Sequence, residues 1–218
     1  MHSYAVDTKE RTWTAVGLAA IAALIAAGIS SLLTKWSIAM PWYVGAPTPV
    51  GVFGILFFLF DRWGWPLAAW VHLSRLPDLR GTWTGVVCRR DGNTVELPVT
   101  VYIRQTWQNL SIELKTQNSS SQSTMASLDL AGRAHTCMTY AYTNAPRPGS
   151  EVDMHAHVGT ATVELSVDGR SVTGDYYTGR DRHSVGTIEL RLQDHAIRDT
   201  ADGQHVKVVP LAENQRGA

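Results

Sequence analysis

The sequence changes character at Leu79–Arg80–Gly81–Thr82–Trp83–Thr84–Gly85. Long apolar segments precede this stretch, and alternating apolar and polar residues follow it. A strand that begins with Gly, carries one large aromatic residue and ends with a second Gly is typical of the first strand of a small barrel, because glycines let a sheet bend or bulge. Trp83 is expected to fill or line one end of that barrel.

The segment before this stretch predicts two membrane-spanning helices. Residues 12–34 are 23 residues without a charge, which as a helix reach about 34 Å, enough to cross the hydrocarbon core. The second apolar segment, residues 36–60, is interrupted by Pro41, Pro47 and Pro49. The second span either starts near Tyr43 or continues to residue 71, and an interfacial helix over residues 63–71 is the alternative for its end.

Positively charged residues flank the two spans asymmetrically. Two precede the first span and three follow the second, whereas Lys35 alone lies between them. Because Lys and Arg are retained on the cytoplasmic side, both termini and the whole second half are predicted to be cytoplasmic.

The second half has the two-residue period of β-strands with one dry and one wet face. Tight-turn signals such as Asp91–Gly92–Asn93 and Asp168–Gly169 separate the alternating runs. The predicted strands are 81–90, 94–104, 107–116, 119–130, 134–144, 154–167, 170–180 and 184–193. Eight antiparallel strands joined by hairpins close most simply into an up-and-down, lipocalin-like β-barrel whose interior holds one small ligand.

The fold class is therefore a membrane-anchored all-β protein in three parts. Residues 1–76 form a two-helix transmembrane hairpin, residues 77–198 the ligand-binding barrel, and residues 199–218 a polar tail. The 218 residues carry 19 Lys and Arg against 19 Asp and Glu, so no basic surplus indicates DNA or RNA binding. Cys88 and Cys137 are expected to be reduced core thiols.

No pattern in the sequence indicates catalysis, a cofactor or a metal. It contains no nucleophile elbow, no phosphate-binding Gly-rich loop before a helix and no HExxH motif. His155 and His157 share one face of a strand, but two histidines without a third ligand are not a metal site. The protein is therefore expected not to be an enzyme.

Polar and aromatic residues occupy the face that should be dry. Extending the inward register places Tyr140, Tyr142 and Asn144 on one strand, His157 on the next, and Tyr176, Thr178 and Arg180 on a third. Buried polar groups cost free energy unless they are paired, so this pattern indicates a pocket rather than a core. Aromatic faces, hydroxyls, amides and arginines together suit a nucleotide.

The order of several short motifs resembles a known family. They are Pro77–Asp78–Leu79–Arg80–Gly81–Thr82–Trp83–Thr84–Gly85, Ile103–Arg104–Gln105–Thr106–Trp107, Tyr140–Ala141–Tyr142–Thr143–Asn144 and Gly174–Asp175–Tyr176–Tyr177–Thr178–Gly179–Arg180. With two preceding membrane helices, the chain resembles the two-transmembrane, β-strand-rich effectors of bacterial cyclic-oligonucleotide anti-phage signalling (CBASS).

The resemblance implies a barrel that binds a cyclic dinucleotide made by a partner nucleotidyltransferase. Binding would drive homo-oligomerisation and contact with lipid that disrupts the bacterial inner membrane. The tyrosines would stack on or hydrogen-bond the bases, Arg180 and Arg104 would contact phosphates, and Asn144 and Thr178 would read base edges. Alternatives are a membrane-tethered lipocalin-like carrier of another small ligand and a membrane enzyme using His155, His157 and Asp153.

Overall fold

A computed structural model describes residues 1–36, 48–71, 74–91, 93–132, 135–147, 155–179 and 184–197. The first elements are strand β1 (His2–Val6), helix α1 (Glu10–Lys35), helix α2 (Pro49–Leu59), a π-helical turn (Phe60–Gly64) and helix α3 (Trp65–Trp70). The strands that follow are β2 (Gly81–Asp91), β3 (Asn93–Gln105), β4 (Asn109–Lys115), β5 (Ser119–Asp129), β6 (Cys137–Pro146), β7 (His157–Leu165), β8 (Ser171–Thr178) and β9 (Val185–Asp194). Each of these eight strands begins and ends within three residues of its predicted bounds.

Strands β2 to β9 form the predicted closed up-and-down barrel. Each pairs antiparallel with the next, and β9 returns to pair with β2. The inward-facing Val99, Val101 and Ile103 of β3 are at most 4% exposed. Their alternation with polar neighbours is what buries one face of the sheet.

The barrel has nine strands rather than the predicted eight, because β1 inserts between β4 and β5. Those two strands pair only near the hairpin that joins them, at Glu113–Lys115, and then separate. Strand β1 fills the gap, antiparallel to β4 and parallel to β5. The gap would leave edge N–H and C=O groups unpaired, and a third strand pairs them. Residues 2–6 therefore belong to the barrel, which corrects their assignment to the membrane hairpin.

Both membrane helices are fixed to the base of the barrel. Arg11 Nη2 donates to the Trp107 carbonyl at 3.0 Å, and its Nη1 donates to the Tyr4 carbonyl. The Asp61 carboxylate accepts from the Gln108 N–H at 2.9 Å. Helix α1 is 26 residues long, and little of it is buried against the rest of the protein. Its apolar side chains are therefore exposed and can contact lipid.

The second helix runs continuously from Pro49 to Trp70, through Asp61 and Arg62. The proposed start near Tyr43 lies outside the described residues. The interfacial-helix alternative for residues 63–71 stays a prediction: residues 63–70 continue the second helix without a break, and Trp65 is fully buried in the barrel core. Burial of a large aromatic ring at the base joins the helix to the barrel by packing.

The end of the barrel nearest the helices is filled by large side chains. Trp83 is fully buried with Tyr4, Trp65 and Trp107, and its indole N–H donates to the Leu79 carbonyl at 3.0 Å. The bend predicted at the start of β2 is present, since the pairing with β9 shifts register after Thr82. Gly81 has a φ of +135°, and a Cβ there would lie 2.3 Å from the Asp194 carbonyl oxygen, so only glycine fits.

Candidate ligand-binding site

A cavity of about 180 Å³ opens at the end of the barrel opposite the helices. It lies beside the C-terminal ends of β6 and β8 and beside the β4–β5 hairpin. The tryptophans that fill the base of the barrel are replaced at this end by smaller or more polar residues. Its lining includes Val87, Arg89, Leu97, Ile112, Gln117, Asn118, Ser121, Tyr140, Tyr142, Asn144, His157, Tyr176, Thr178, Ser184 and Ile188.

Three tyrosines form the aromatic part of the wall. Tyr140 and Tyr176 are 6% and 9% exposed, and the ring centroids of Tyr140 and Tyr142 lie 6.2 Å apart with a tilt of 50°. Strand β7 makes room for them, because a Cβ at Gly159 would lie 2.4 Å from Cζ of Tyr142. The rings thus present faces and edges on which a planar group can stack.

Burial keeps the Tyr140 phenol neutral. Desolvation raises the pKa of Tyr140 strongly, and the adjacent Tyr142 raises it further. At neutral pH the hydroxyl keeps its proton and can donate a hydrogen bond. No hydrogen bond of that hydroxyl to any described residue is present, so it is available to a ligand.

The polar side chains of the wall are held by their neighbours. Asn144 is 7% exposed, and its Oδ1 accepts from Ser121 Oγ at 3.1 Å. Thr178 Oγ1 accepts from the Ser184 N–H at 2.9 Å, which closes the connection between β8 and β9. Fixed donors and acceptors lose less entropy on binding than mobile ones, so this wall is organised in advance for hydrogen bonding.

The charge of the described lining is positive. Arg89 lines the cavity from β2, and none of the described lining residues is acidic. An arginine beside aromatic rings and hydroxyls favours an anion such as a phosphate. Arg180, the phosphate-binding residue predicted from the sequence, lies outside the described residues.

Six of the nine predicted ligand-binding residues come together in this cavity, and two lie elsewhere. The six are Tyr140, Tyr142, Asn144, His157, Tyr176 and Thr178. Arg104 instead lies on the outer wall, 53% exposed and 4.0 Å from the Glu113 carboxylate. The bulge needed to turn it inward is absent, because β3 keeps register with β2 up to Ile103 and with β4 through Arg104 to Gln105. Trp83 fills the base and does not line the cavity.

Sequence reasoning missed Arg89, Ser121 and Ser184. The signal for Arg89 was present, because a period of two from Trp83 through Gly85 and Val87 places residue 89 inward. Ser121 follows by the same period from Ser119, in a strand with few apolar residues to indicate which face is dry. Ser184 begins the predicted strand 184–193, and the period of two back from Leu190 and Ile188 places it inward.

The histidines do not form a metal centre with other described residues. His157 lies in the cavity wall and His155 is exposed. Within the described ranges, no group of three or more His, Cys, Asp and Glu side chains could hold a metal ion. Asp153, the third residue of the enzyme alternative, lies outside those ranges.

The geometry defines a membrane-anchored β-barrel with an open, aromatic and positively charged ligand cavity. Residues 74–192 match the family model described as "Cap15, cyclic dinucleotide receptor domain", and residues 13–66 match "Cap15, TM helices". A CD-NTase-associated protein 15 from Yersinia aleksiciae is 31% identical over 148 residues, which cover 67% of this chain and 70% of the relative. The chain belongs to the Cap15 family. The resemblance to CBASS effectors that the sequence motifs indicated is thereby confirmed.

Proposed function

We propose that this protein is a receptor and effector of anti-phage defence, and that its barrel cavity binds a cyclic dinucleotide. A partner nucleotidyltransferase makes the ligand, and the occupied protein self-associates and disrupts the inner membrane. The observation that carries the proposal is the cavity at the open end of a barrel of this family, where three tyrosines and Arg89 face a space without described acidic residues.

Each cavity residue has a role in this proposal. Tyr140, Tyr142 and Tyr176 stack on or hydrogen-bond the bases, while Arg89 binds a phosphate and Arg180 remains a second candidate for that role. Asn144, Thr178 and His157 read base edges. A site for a whole small molecule is usually about 300–1,000 Å³. The enclosed 180 Å³ therefore takes one part of the ligand, and the rest lies at the open mouth.

The same wall argues against a carrier of purely apolar ligands. An aliphatic chain in this cavity would displace water from the polar side chains of the wall, among them Arg89 and Asn144, and would offer them no hydrogen bond in return. Covering polar groups with apolar surface in this way costs free energy. A ligand with both planar and anionic parts avoids that cost.

The connection at the barrel base supports the proposed membrane step. Arg11 and Asp61 tie both helices directly to the β3–β4 hairpin. Association of occupied barrels would therefore bring their helices together in the bilayer. The Lys and Arg asymmetry supports placing the barrel and both termini in the cytoplasm, where the nucleotide is made.

Calorimetric titration of the full-length protein in detergent micelles with a panel of cyclic dinucleotides tests the binding site. Arg89→Gln should weaken the binding of a phosphate diester by about 1.5–3 kcal/mol, roughly ten- to a hundredfold. Tyr142→Ala should cost about 1–3 kcal/mol of stacking. Arg104→Gln removes the same charge from the outer wall and should bind like wild type.

Two results would contradict the proposal. If no cyclic dinucleotide binds to the folded wild-type protein, the receptor function is wrong. If ligand binds but Arg89→Gln and Tyr142→Ala match wild type, the ligand occupies another site.

A further inference from the structure

A second cleft, of about 320 Å³, lies at the junction between β1 and α1, at the opposite end of the barrel from the ligand cavity. It is lined by Thr8, Lys9, Glu10, Trp13, Thr14 and Arg75. The chain thus brings the start of the first membrane helix together with the segment that follows the second. Neither the cavity residues nor the proposed receptor function uses this cleft.

The cleft is expected to lie at the depth of the lipid headgroups. Arg11 contacts the barrel base, and the uncharged stretch of α1 begins one residue later. Trp13, at the edge of the cleft, is 69% exposed, and Trp63 and Trp70 of the second helix are 59% and 80% exposed. Exposed tryptophans concentrate where hydrocarbon meets headgroups.

The charges of the cleft favour an anion. Within the described part of the chain, neither Lys9 nor Arg75 forms an ion pair. The Glu10 carboxylate is turned toward residues 74 and 75, where it accepts from Ser74 Oγ at 2.7 Å and the Arg75 N–H at 3.1 Å. Two cations and one engaged carboxylate leave a net positive charge.

One polar atom of the cleft also lacks a partner. Thr8 Oγ1 is shielded from solvent and makes no hydrogen bond to a described residue. A shielded hydroxyl without a partner is costly unless something satisfies it. A phosphate oxygen would accept from this hydroxyl and from both cations.

We propose that the cleft binds the headgroup of an anionic phospholipid of the phosphatidylglycerol type. Its phosphate contacts Lys9, Arg75 and Thr8, and its glycerol backbone and upper acyl chains lie against Trp13. A zwitterionic lipid has the same phosphate, but its own cation is repelled by Lys9 and Arg75. The cleft therefore discriminates by headgroup charge, and this inference does not depend on the proposed receptor function.

The test is lipid retention by the full-length protein, measured by native mass spectrometry. Protein in a neutral detergent is mixed with equal amounts of phosphatidylglycerol and phosphatidylcholine that carry the same acyl chains. Wild type should retain phosphatidylglycerol preferentially. Each Lys or Arg near an anionic surface contributes about fivefold in affinity, so Lys9→Gln with Arg75→Gln should reduce retention about 25-fold.

Arg62→Gln is the matched control, because it removes an exposed cation of the second helix outside the cleft. It should retain phosphatidylglycerol like wild type. The proposal is overturned if both lipids are retained equally, or if Arg62→Gln loses as much as the cleft variant. Competition by equimolar glycerol phosphate would also overturn it, since the site would then be one for soluble phosphate. Size-exclusion chromatography of each variant shows that a loss is not caused by unfolding.

Discussion

Tyr142 keeps its place in the cavity wall because residue 159, across the sheet, has no side chain. A Cβ at Gly159 would lie 2.4 Å from the Tyr142 ring and 2.8 Å from the Tyr177 carbonyl oxygen. The ring could move toward the cavity, but the backbone carbonyl of Tyr177 belongs to the β7–β8 pairing and has little freedom. One glycine therefore sets both the shape of the cavity and the fit of two strands.

Gly159→Ala should lower the free energy of unfolding by about 1–3 kcal/mol, the usual cost of inserting a methyl group into a packed site. It should also weaken cyclic dinucleotide binding, because the Tyr142 ring is displaced. Thermal unfolding followed by near-ultraviolet circular dichroism measures the first effect, and calorimetry measures the second.

Gly132→Ala is the control for this change, because nothing lies within 4 Å of the position of its added methyl group. It should stay within about 0.5 kcal/mol of wild type. Equal effects of the two substitutions would show that the space beside Tyr142 is not filled as described.

Strand β1 connects the barrel to the first membrane helix. It pairs with β4 and β5 and passes through residues 7–9 directly into α1. Near its first residue, Ser123 Oγ accepts from the Ile112 N–H at 2.9 Å and lies 2.8 Å from His2 Nε2. At its end, the Asp7 carboxylate accepts from the N–H groups of Leu130 and Ala131 at 2.8 and 2.9 Å.

These two backbone donors lower the pKa of Asp7 below its ordinary value of 3.8. The folded state therefore favours the carboxylate, and this contribution to stability is present above pH 3.8 and lost as the pH falls below it. Asp7→Asn should lower the melting temperature of the barrel at pH 7, with a difference from wild type that shrinks below pH 3.8. A difference that is independent of pH would contradict the carboxylate's role.

The eight strands of the meander could be predicted because each buries one face, and burial imposes a two-residue alternation. Strand β1 could not be predicted, because its five residues are too few to show a two-residue period. Nothing in the sequence around it indicates that it pairs with a strand more than a hundred residues away. Tyr140, Tyr142 and Tyr176 followed from the inward register. Arg104 is not in the cavity wall. Strict alternation places its side chain on the outer face of β3, and the bulge that would turn it inward is not observed.

The two ends of the barrel differ in structure across the whole molecule: one is attached to the membrane helices, and the other holds the cavity. The end nearest the membrane is closed by Trp65, Trp83 and Trp107 and is tied to both helices. The far end is open and lined by groups suited to a planar anion. Under the proposed function, occupancy at the open end acts on the membrane through the barrel as a whole, by the assembly of several barrels.

Dye release from vesicles that contain the reconstituted full-length protein tests this account most directly. A cyclic dinucleotide that binds in the calorimetric titration should cause release from wild-type vesicles, and the protein alone should not. Arg89→Gln should need roughly ten- to a hundredfold more ligand for the same release, while Arg104→Gln should respond like wild type. Release that does not depend on ligand, or that is equal for Arg89→Gln and wild type, would contradict the claim that the occupied barrel cavity triggers the membrane step.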